Sequence, residues 1–408
     1  MNFGVITYIL HKDHKGKYYS YEPYIREMNI WLKLTSKFLL LAPRKDKIPS
    51  PIESAYYIAP AEFHEIPETS LTTFKEALKT LVYLPFTFYK IARVMKRADH
   101  IHLRCPGNIG LLACLVQIFF PQKPKTVKYA GNWDPNSKQP WSYRMQKWIL
   151  SNTFLSKNIK VLVYGEWPNQ SKNILPFFTA SFSETEKIKI EKDFTSPCKF
   201  IFVGSLSAGK RPLFAIKFIE ALMGKGIPAK LEIYGSGVLR NELQEYINTK
   251  NLEPFVSLMG SIKLEELKEV YKASHFLILA SQSEGWPKAV AETMFFGCVP
   301  VVTSVSCVPW MLKAPPAPDG GARVVTITER GILIPDLEKG EELKMYNGMR
   351  RKDSRDVLNE TVEKILELIK DPEKMKRMSL AGQEWSQEYT LEKFEEGIKK
   401  ILYDSNKE

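Results

Sequence analysis

HFLILASQSEGWPKAVAETMFFG, residues 275–297, joins three patterns end to end. An apolar run of strand length, HFLILA, leads into a polar loop with a glycine and a proline, and then into apolar residues at helical spacing. Pro287 suits the first turn of that helix, where its missing amide hydrogen would be unpaired anyway, and Gly297 suits the left-handed residue that closes it. Strand, loop and helix in that order are the unit from which parallel sheets are built. Glu284 then falls in the loop and Glu292 inside the helix. A core helix needs neither acid.

The same alternation runs through the chain. Strand-length runs occur at FGVITYIL (3–10), KFLLLAP (37–43), AYYIAP (55–60), HIHLRC (100–105), TVKYAG (126–131) and IKVLVYG (159–165). After the acid- and Lys-rich stretch 183–199 it restarts with FIFVG (200–204), KLEIYG (230–235), FVSLMG (255–260), HFLILAS (275–281) and VPVVTS (299–304). Residues 357–403 show helical periodicity only, with Gly382 and Tyr389-Thr390 as breaks. The expected organisation is an α/β domain over 1–190, a second over 191–386, and a terminal helix over 387–408 that packs back on the first. A length of 408 residues agrees, because single cores stop growing near ~250–300 residues.

Composition narrows the class. With 44% hydrophobic and 12% aromatic residues the chain reads as folded throughout. The longest apolar runs, such as LLACLV at 111–116, fall short of the ~18–20 residues that span a bilayer. MNFGVITYIL has its charges after the apolar run and no cleavage site, so it reads as a first strand rather than a leader. Five cysteines without a C-x-x-C pair suggest reduced thiols in a cytoplasmic protein. The net charge of +12 calls for an anionic partner: nucleic acid, a phosphate-rich substrate or an anionic membrane. Nucleic acid is disfavoured, because the cations accompany carboxylates at strand ends and no nucleic-acid-binding signature occurs.

Ligands of open parallel sheets sit beyond the carboxyl ends of the strands, where loops enter helices. The unpaired amides and dipole of the helix after SEGWP can hold an anion such as a diphosphate. Glu284 beside it suits the hydroxyls of an attached sugar. Glu292 can accept from two vicinal ribose hydroxyls at once. FIFVGSLSAGKRP repeats the logic with Lys210 and Arg211 at a helix start, where two cations are costly unless an anion lies between them. Arg211 offers a bidentate contact to a phosphate, Lys210 a point charge. KLEIYGSG has Gly235 and Gly237 after a strand but no third glycine, so it is weak as a dinucleotide fingerprint.

Together FVGSLSAGKRP, LEIYGSG, VSLMGSI and FLILASQSEGWPKAVAETMFFGCVPVV resemble the donor-binding half of glycosyltransferase family 4, with its E-x7-E signature, over about residues 199–336. The resemblance implies a GT-B fold, two Rossmann-like doubly wound parallel sheets facing a cleft, with terminal helices crossing back to the first. It also implies retaining transfer from a nucleotide-sugar, which is a substrate, with no metal and no cofactor. By position, Lys210 stabilises the departing diphosphate, Glu284 contacts the donor sugar and Glu292 holds the ribose. Gly285, Trp286, Pro287 and Lys288 form the loop facing sugar and phosphate; Gly260, Ser261 and Ile262 fall at the base. Gly235 belongs to the same donor side. Ser205 replaces a common basic residue, leaving Arg211 to supply the second charge. SVSCVPW replaces the usual glycine turn after 299–304, and PPAPDGGA at 315–322 reads as an insertion. No D-x-D triplet occurs to hold a divalent cation.

The first half resembles the family in architecture alone and is expected to hold a glycan or lipid-linked acceptor. Its strand-end candidates are His11, Lys12 and Asp13, then Arg104 and Asn108, then Asn132 and Asp134. His100 and His102 read as ordinary strand histidines. FKEALKTLVYLPFTFYKIARVMKR, 74–97, sets six Lys or Arg among aromatics with one Glu, a composition suited to an interfacial helix on an anionic membrane. The resulting expectation is a transferase of surface polysaccharide or lipopolysaccharide assembly, cytoplasmic and peripheral on the inner face of the membrane if that helix docks. A sugar-nucleotide epimerase or hydrolase of similar fold and a basic nucleic-acid-binding protein are the rivals.

Overall fold

The computed structural model describes residues 1–50, 52–68, 74–195, 197–315, 324–336 and 354–403, with the backbone alone at 74–81. Of the stretch read as an insertion at 315–322, all but Pro315 lies outside them. Two compact units result: Met1–Ala180 with Glu392–Glu408, and Ser181–Leu391.

Unit 1 holds β1 (Asn2–Ile6), β2 (His11–His14), β3 (Lys17–Tyr21), β4 (Lys37–Lys45), β5 (Glu53–Ala55), β6 (Glu62–Ile66), β7 (His100–Cys105), β8 (Lys125–Tyr129), β9 (Ile159–Tyr164) and β10 (Ile174–Phe177). They form one sheet in the order β10-β9-β8-β7-β1-β4-β2-β3-β5, with β6 on β4. β1 pairs in parallel with β4 and β7, so its apolar residues are covered on both faces. From β6 to β7, β8 and β9 each step moves the same way along the sheet. Right-handed crossovers therefore lay the helices Phe74–Arg97, Asn108–Val116 and Trp141–Ser151 side by side on one face. Ile91, Val94, Ile109, Ala113 and Ile149 bury their inner stripes against Leu103, Val127 and Val161.

The apolar run at 3–10 is not one strand. Its pairing to β7 stops at Ile6, and residues 11–14 form the separate strand β2, in a hairpin with β3. Of AYYIAP only Ala55 is strand, because Tyr56 turns inward and its hydroxyl meets the His11 ring at 2.9 Å.

Unit 2 holds β11 (Cys198–Val203), β12 (Ala229–Tyr234), β13 (Val256–Gly260), β14 (Phe276–Leu279), β15 (Val299–Thr303), β16 (Thr326–Ile327) and β17 (Ile332–Ile334), in the order β13-β12-β11-β14-β15-β17-β16. All neighbours are parallel except β16 on β17. The chain starts at β11 in mid-sheet and winds first to one side, then to the other, which is a doubly wound sheet.

The division falls at 180/181, whereas the sequence places it at 190/191. The intervening residues pack on unit 2: Phe182 lies on the rings of Phe295 and Phe296, and the Lys192 ammonium donates to the Tyr271 carbonyl at 2.8 Å. The helix Leu391–Tyr403 packs in unit 1, with Phe394 on Phe177 and the Tyr403 hydroxyl donating to the Leu34 carbonyl at 3.0 Å. Gly382 is no break. It lies within the helix Pro372–Ser386, where an added Cβ would touch the Met294 side chain at 3.5 Å. The break comes at Asp371, whose carboxylate caps that helix by accepting from the Lys374 amide.

The strand histidines of unit 1 give its stability a pH dependence. Burial lowers the pKa of His11 and His100 to about 4, and holds that of His102 well below its usual value. The unfolded chain then binds protons from pH 6.5 downward while the folded chain does not, so stability is complete above 6.5 and falls as pH drops towards 4. We expect the melting temperature to fall across this window. His100→Gln, which removes one of these groups, is expected to give a shallower slope there by calorimetry.

Candidate functional site

The loops at the carboxyl ends of β11 to β15 are bound to one another through their backbones. The Gly204 amide donates to Tyr234 O at 3.0 Å and the Leu206 amide to Ser236 O at 2.9 Å. Gly235 N reaches Gly260 O at 2.8 Å, and Gln282 N reaches Gly209 O at 2.8 Å. The Thr303 hydroxyl closes the row by donating to Ser281 O at 2.6 Å. Gly235, at φ +146°, lies so close to β11 that a Cβ would stand 1.8 Å from Gly204 O. Gly260, at φ +78°, has open space instead.

This network unites the donor-side candidates. Lys210 donates to Glu284 Oε1 in a partly buried ion pair between the first and fourth loops. Arg211, in the left-handed region at φ +50°, caps the helix Pro212–Gly224 and directs Nη1 to the Ala280 carbonyl (3.4 Å) and to Asp336 (3.7 Å). Burial lowers its pKa, against the effect of Asp336. Pro287 caps the helix Lys288–Phe295 instead of entering its first turn, and Gly297, at φ +79°, ends it as expected. Neither helix carries an acid in its first turn, so the positive end of each dipole is uncompensated there. Ser205 is exposed with its hydroxyl 3.1 Å from that of Ser207, and Ser261 meets Ser236 at 3.2 Å. Ile262 is half-buried beside it.

Three supporting features escaped the sequence reading. Glu292 accepts from the Ser181 hydroxyl at 2.5 Å and from the Tyr271 hydroxyl at 2.8 Å. Trp286 turns inward, stacked on Trp385 and edge-on to Tyr389, which anchors the loop 285–288. Ser306, at φ +52°, and Cys307 donate to the Gly285 carbonyl, so the SVSCVPW segment is tied to the loop opposite. Ser181 and Tyr271 lie 111 and 21 residues from Glu292 along the chain, Trp385 and Tyr389 lie 99 and 103 from Trp286, and no local pattern marks them.

The unit 1 candidates are scattered. The His11 ring is buried, stacked on Tyr56, and bonded to Ile9 O at 2.8 Å. Lys12 pairs with Glu53 at 2.7 Å and Asp13 with Arg44 at 3.6 Å. Arg104 is buried against Glu27 at 3.1 Å; burial opposes its charge, and Glu27 together with Tyr164, Tyr8 and Tyr24 more than offsets this, so its pKa stands above the usual value. Asn132 accepts from the Asp134 amide at 2.8 Å, and Asp134 in turn from that of Asn136 at 2.8 Å. Burial raises the Asp134 pKa. Asn108 alone of these lines a cavity of about 400 Å³, with Tyr8, Pro43, Glu68, Pro106 and Tyr143 among its walls. Since β1 ends at Ile6, Tyr8 is a strand-end residue there, and the run at 3–10 hid it.

Residues 183–314 match the family model for glycosyl transferases group 1. Over 105 residues the chain is 35% identical to an uncharacterized glycosyltransferase of Methanocaldococcus jannaschii, covering 26% of this chain and 25% of that protein. Over 114 residues it is 28% identical to an α-1,4-N-acetyl-D-galactosaminyltransferase of Campylobacter jejuni whose named acceptor is a diphosphate-undecaprenol-linked glycan, covering 28% and 30% of the two chains. These matches thus span about a quarter to a third of those relatives. Among solved structures, Anabaena HepE in complex with UDP and glucose superposes with a TM-score of 0.61 at 13% identity, over 99% of this chain and 100% of that one. The fold is GT-B.

Gly235→Ala tests the loop network. The new Cβ would force β11 and β12 apart at their carboxyl ends, and we expect a stability loss above about 1 kcal/mol in denaturant unfolding. Gly260→Ala, with open space around it, is expected to lose less, from its positive φ alone. Equal losses would show that the contact with Gly204 O does not matter.

Proposed function

We propose that this chain is a retaining glycosyltransferase of family 4, moving a sugar from a UDP- or GDP-linked donor to a glycan or lipid-linked acceptor in surface polysaccharide or lipopolysaccharide assembly. The observation that carries the reading is the Lys210–Glu284 pair at the entry to two helices whose first turns lack acids. A cation, a carboxylate and two helix N-termini at strand ends suit a ligand that is anionic at one end and rich in hydroxyls at the other.

As the glycosidic bond breaks, negative charge collects on the departing diphosphate. Lys210, Arg211 and the helix amides stabilise it in place, with no reorganisation needed at that moment. Glu284 holds hydroxyls of the donor sugar, and its bond to Lys210 ties sugar position to phosphate position. Glu292 takes the ribose: each of its oxygens accepts one protein hydroxyl and keeps a second acceptor position. Gly260, Ser261 and Ile262 lie along the base, with Gly235 closing the floor. The loop Gly285–Lys288, held by Trp286 and Ser306, presents its backbone to sugar and phosphate. The absence of any D-x-D triplet supports metal-independent transfer. For the acceptor, the cavity of unit 1 beside Tyr8, Asn108 and Tyr143 offers aromatic walls and polar groups suited to a sugar. The Campylobacter relative's named acceptor supports the lipid-linked class.

Lys210→Ala is expected to lower kcat by about 100-fold. Glu284→Gln should also act on kcat, and the double variant should cost much less than the product of the two, because each single change already breaks the shared pair. Glu292→Gln is expected mainly to raise the donor KM, since it removes binding common to ground and transition states. Steady-state kinetics on the four variants decides this; strict additivity, or an unchanged rate for Lys210→Ala, would overturn it. A second check is EDTA: turnover should persist, and a complete loss restored by magnesium or manganese would remove the metal-independent reading.

A further inference from the structure

Residues 77–160 contain fourteen Lys or Arg and two acids, Asp99 and Asp134, so this stretch alone equals the net charge of the whole chain, +12. Much of it is the helical layer on one face of the unit 1 sheet. Arg104, Lys125 and Lys128 are buried, but Lys96, Arg144 and Lys157 stand exposed and form no ion pair among the described residues. Between them lie large apolar side chains that the core does not cover. Phe86 and Tyr89 are exposed on the outer side of the helix Phe74–Arg97, opposite the buried Ile91, Val94 and Met95. Trp141 and Trp148, two turns apart on one side of the helix Trp141–Ser151, are 61% and 60% exposed. Phe119 and Phe154, 79% and 78% exposed, follow the ends of neighbouring helices that the Gln117 side chain joins by its bond to the Ser156 hydroxyl at 3.0 Å.

A surface helix ordinarily turns polar residues outward. Here the helices Phe74–Arg97 and Trp141–Ser151, with the turns at Phe119 and Phe154, turn out rings and cations together. We infer that the outer face of this helical layer docks on the surface of an anionic lipid bilayer, over an area wider than the single helix 74–97. Indole and phenol rings favour the depth of lipid headgroups, where one edge is apolar and the other wet. Lysine and arginine reach anionic headgroups from the same surface, and nearly acid-free flanks leave little to repel them. No described helix is long and apolar enough to cross a membrane, so the contact is with the surface. This docking does not depend on the transfer reaction.

The test is co-flotation of the full chain with phosphatidylcholine vesicles containing about one third phosphatidylglycerol, against pure phosphatidylcholine. Binding is expected only to the anionic vesicles, weakening with salt, and brominated lipid should quench tryptophan fluorescence. Trp141→Ser/Trp148→Ser and, separately, Lys96→Glu/Arg144→Glu/Lys157→Glu are each expected to reduce partition about tenfold or more with the melting temperature retained, because all these side chains are exposed. Three results would overturn the inference: no preference for anionic vesicles, binding that survives both sets of substitutions, or a lipid-free dimer in sedimentation that both sets dissolve. The last would identify the layer as a contact between copies of this chain.

Discussion

The close approach of Gly235 to Gly204 is the constraint on which the second unit depends. With 1.8 Å between a would-be Cβ and the Gly204 carbonyl oxygen, only glycine lets β12 run on into its loop beside β11. That approach brings Gly235 N to Gly260 O and Leu206 N to Ser236 O, and so sets three loop backbones in one layer. Lys210 is carried at the end of the first of these loops. Its carboxylate partner comes from the fourth loop, whose own position is fixed by the bond from Gln282 N to Gly209 O. A cation beside a carboxylate in a half-buried place loses hydration on both sides, and it is kept because the pairing offsets that loss. The geometry of the pair is thus a consequence of backbone packing, not of the two side chains.

The same logic of held charge recurs in unit 1 with another outcome. Lys128 is fully buried, with its ammonium donating to Phe178 O at 2.8 Å and lying over the rings of Tyr164 and Phe177 at 4.3 and 4.7 Å. Arg104 nearby is committed to Glu27 on the helix Glu22–Lys33. Removing Arg104 would leave Glu27 with only the longer contact to Lys128 at 3.9 Å, and removing Lys128 would take the ammonium donor from the Phe178 carbonyl; both losses are destabilising in the interior. Arg104 therefore serves the fold of unit 1 at a strand end where sequence reasoning expects a contact to a ligand. The adjacent cavity draws its walls instead from Tyr8, Asn108 and Tyr143.

The sequence by itself determined the fold class. Continuous apolar runs such as FLIL and VPVV are what doubly covered parallel strands require, and the helical repeats between them leave few other ways to bury that surface. It also located the SEGWPK loop, Gly297 and the Lys210-Arg211 helix start, because caps and loop residues obey local backbone rules. Short runs misled where a tertiary contact competes with pairing. AYYIAP loses strand character when Tyr56 turns to His11, and Gly382 lies inside the helix Pro372–Ser386, facing Met294 across the contact with the helix Lys288–Phe295. Only the tertiary structure decided which partners complete the site: Tyr271 and Ser181 for Glu292, Trp385 and Tyr389 for Trp286, Ser306 for Gly285. Local periodicity records how a segment meets its own neighbours in the chain. Long-range hydrogen bonds and ring contacts arise only when the sheet brings separate loops to one edge, and no spacing in the sequence encodes them.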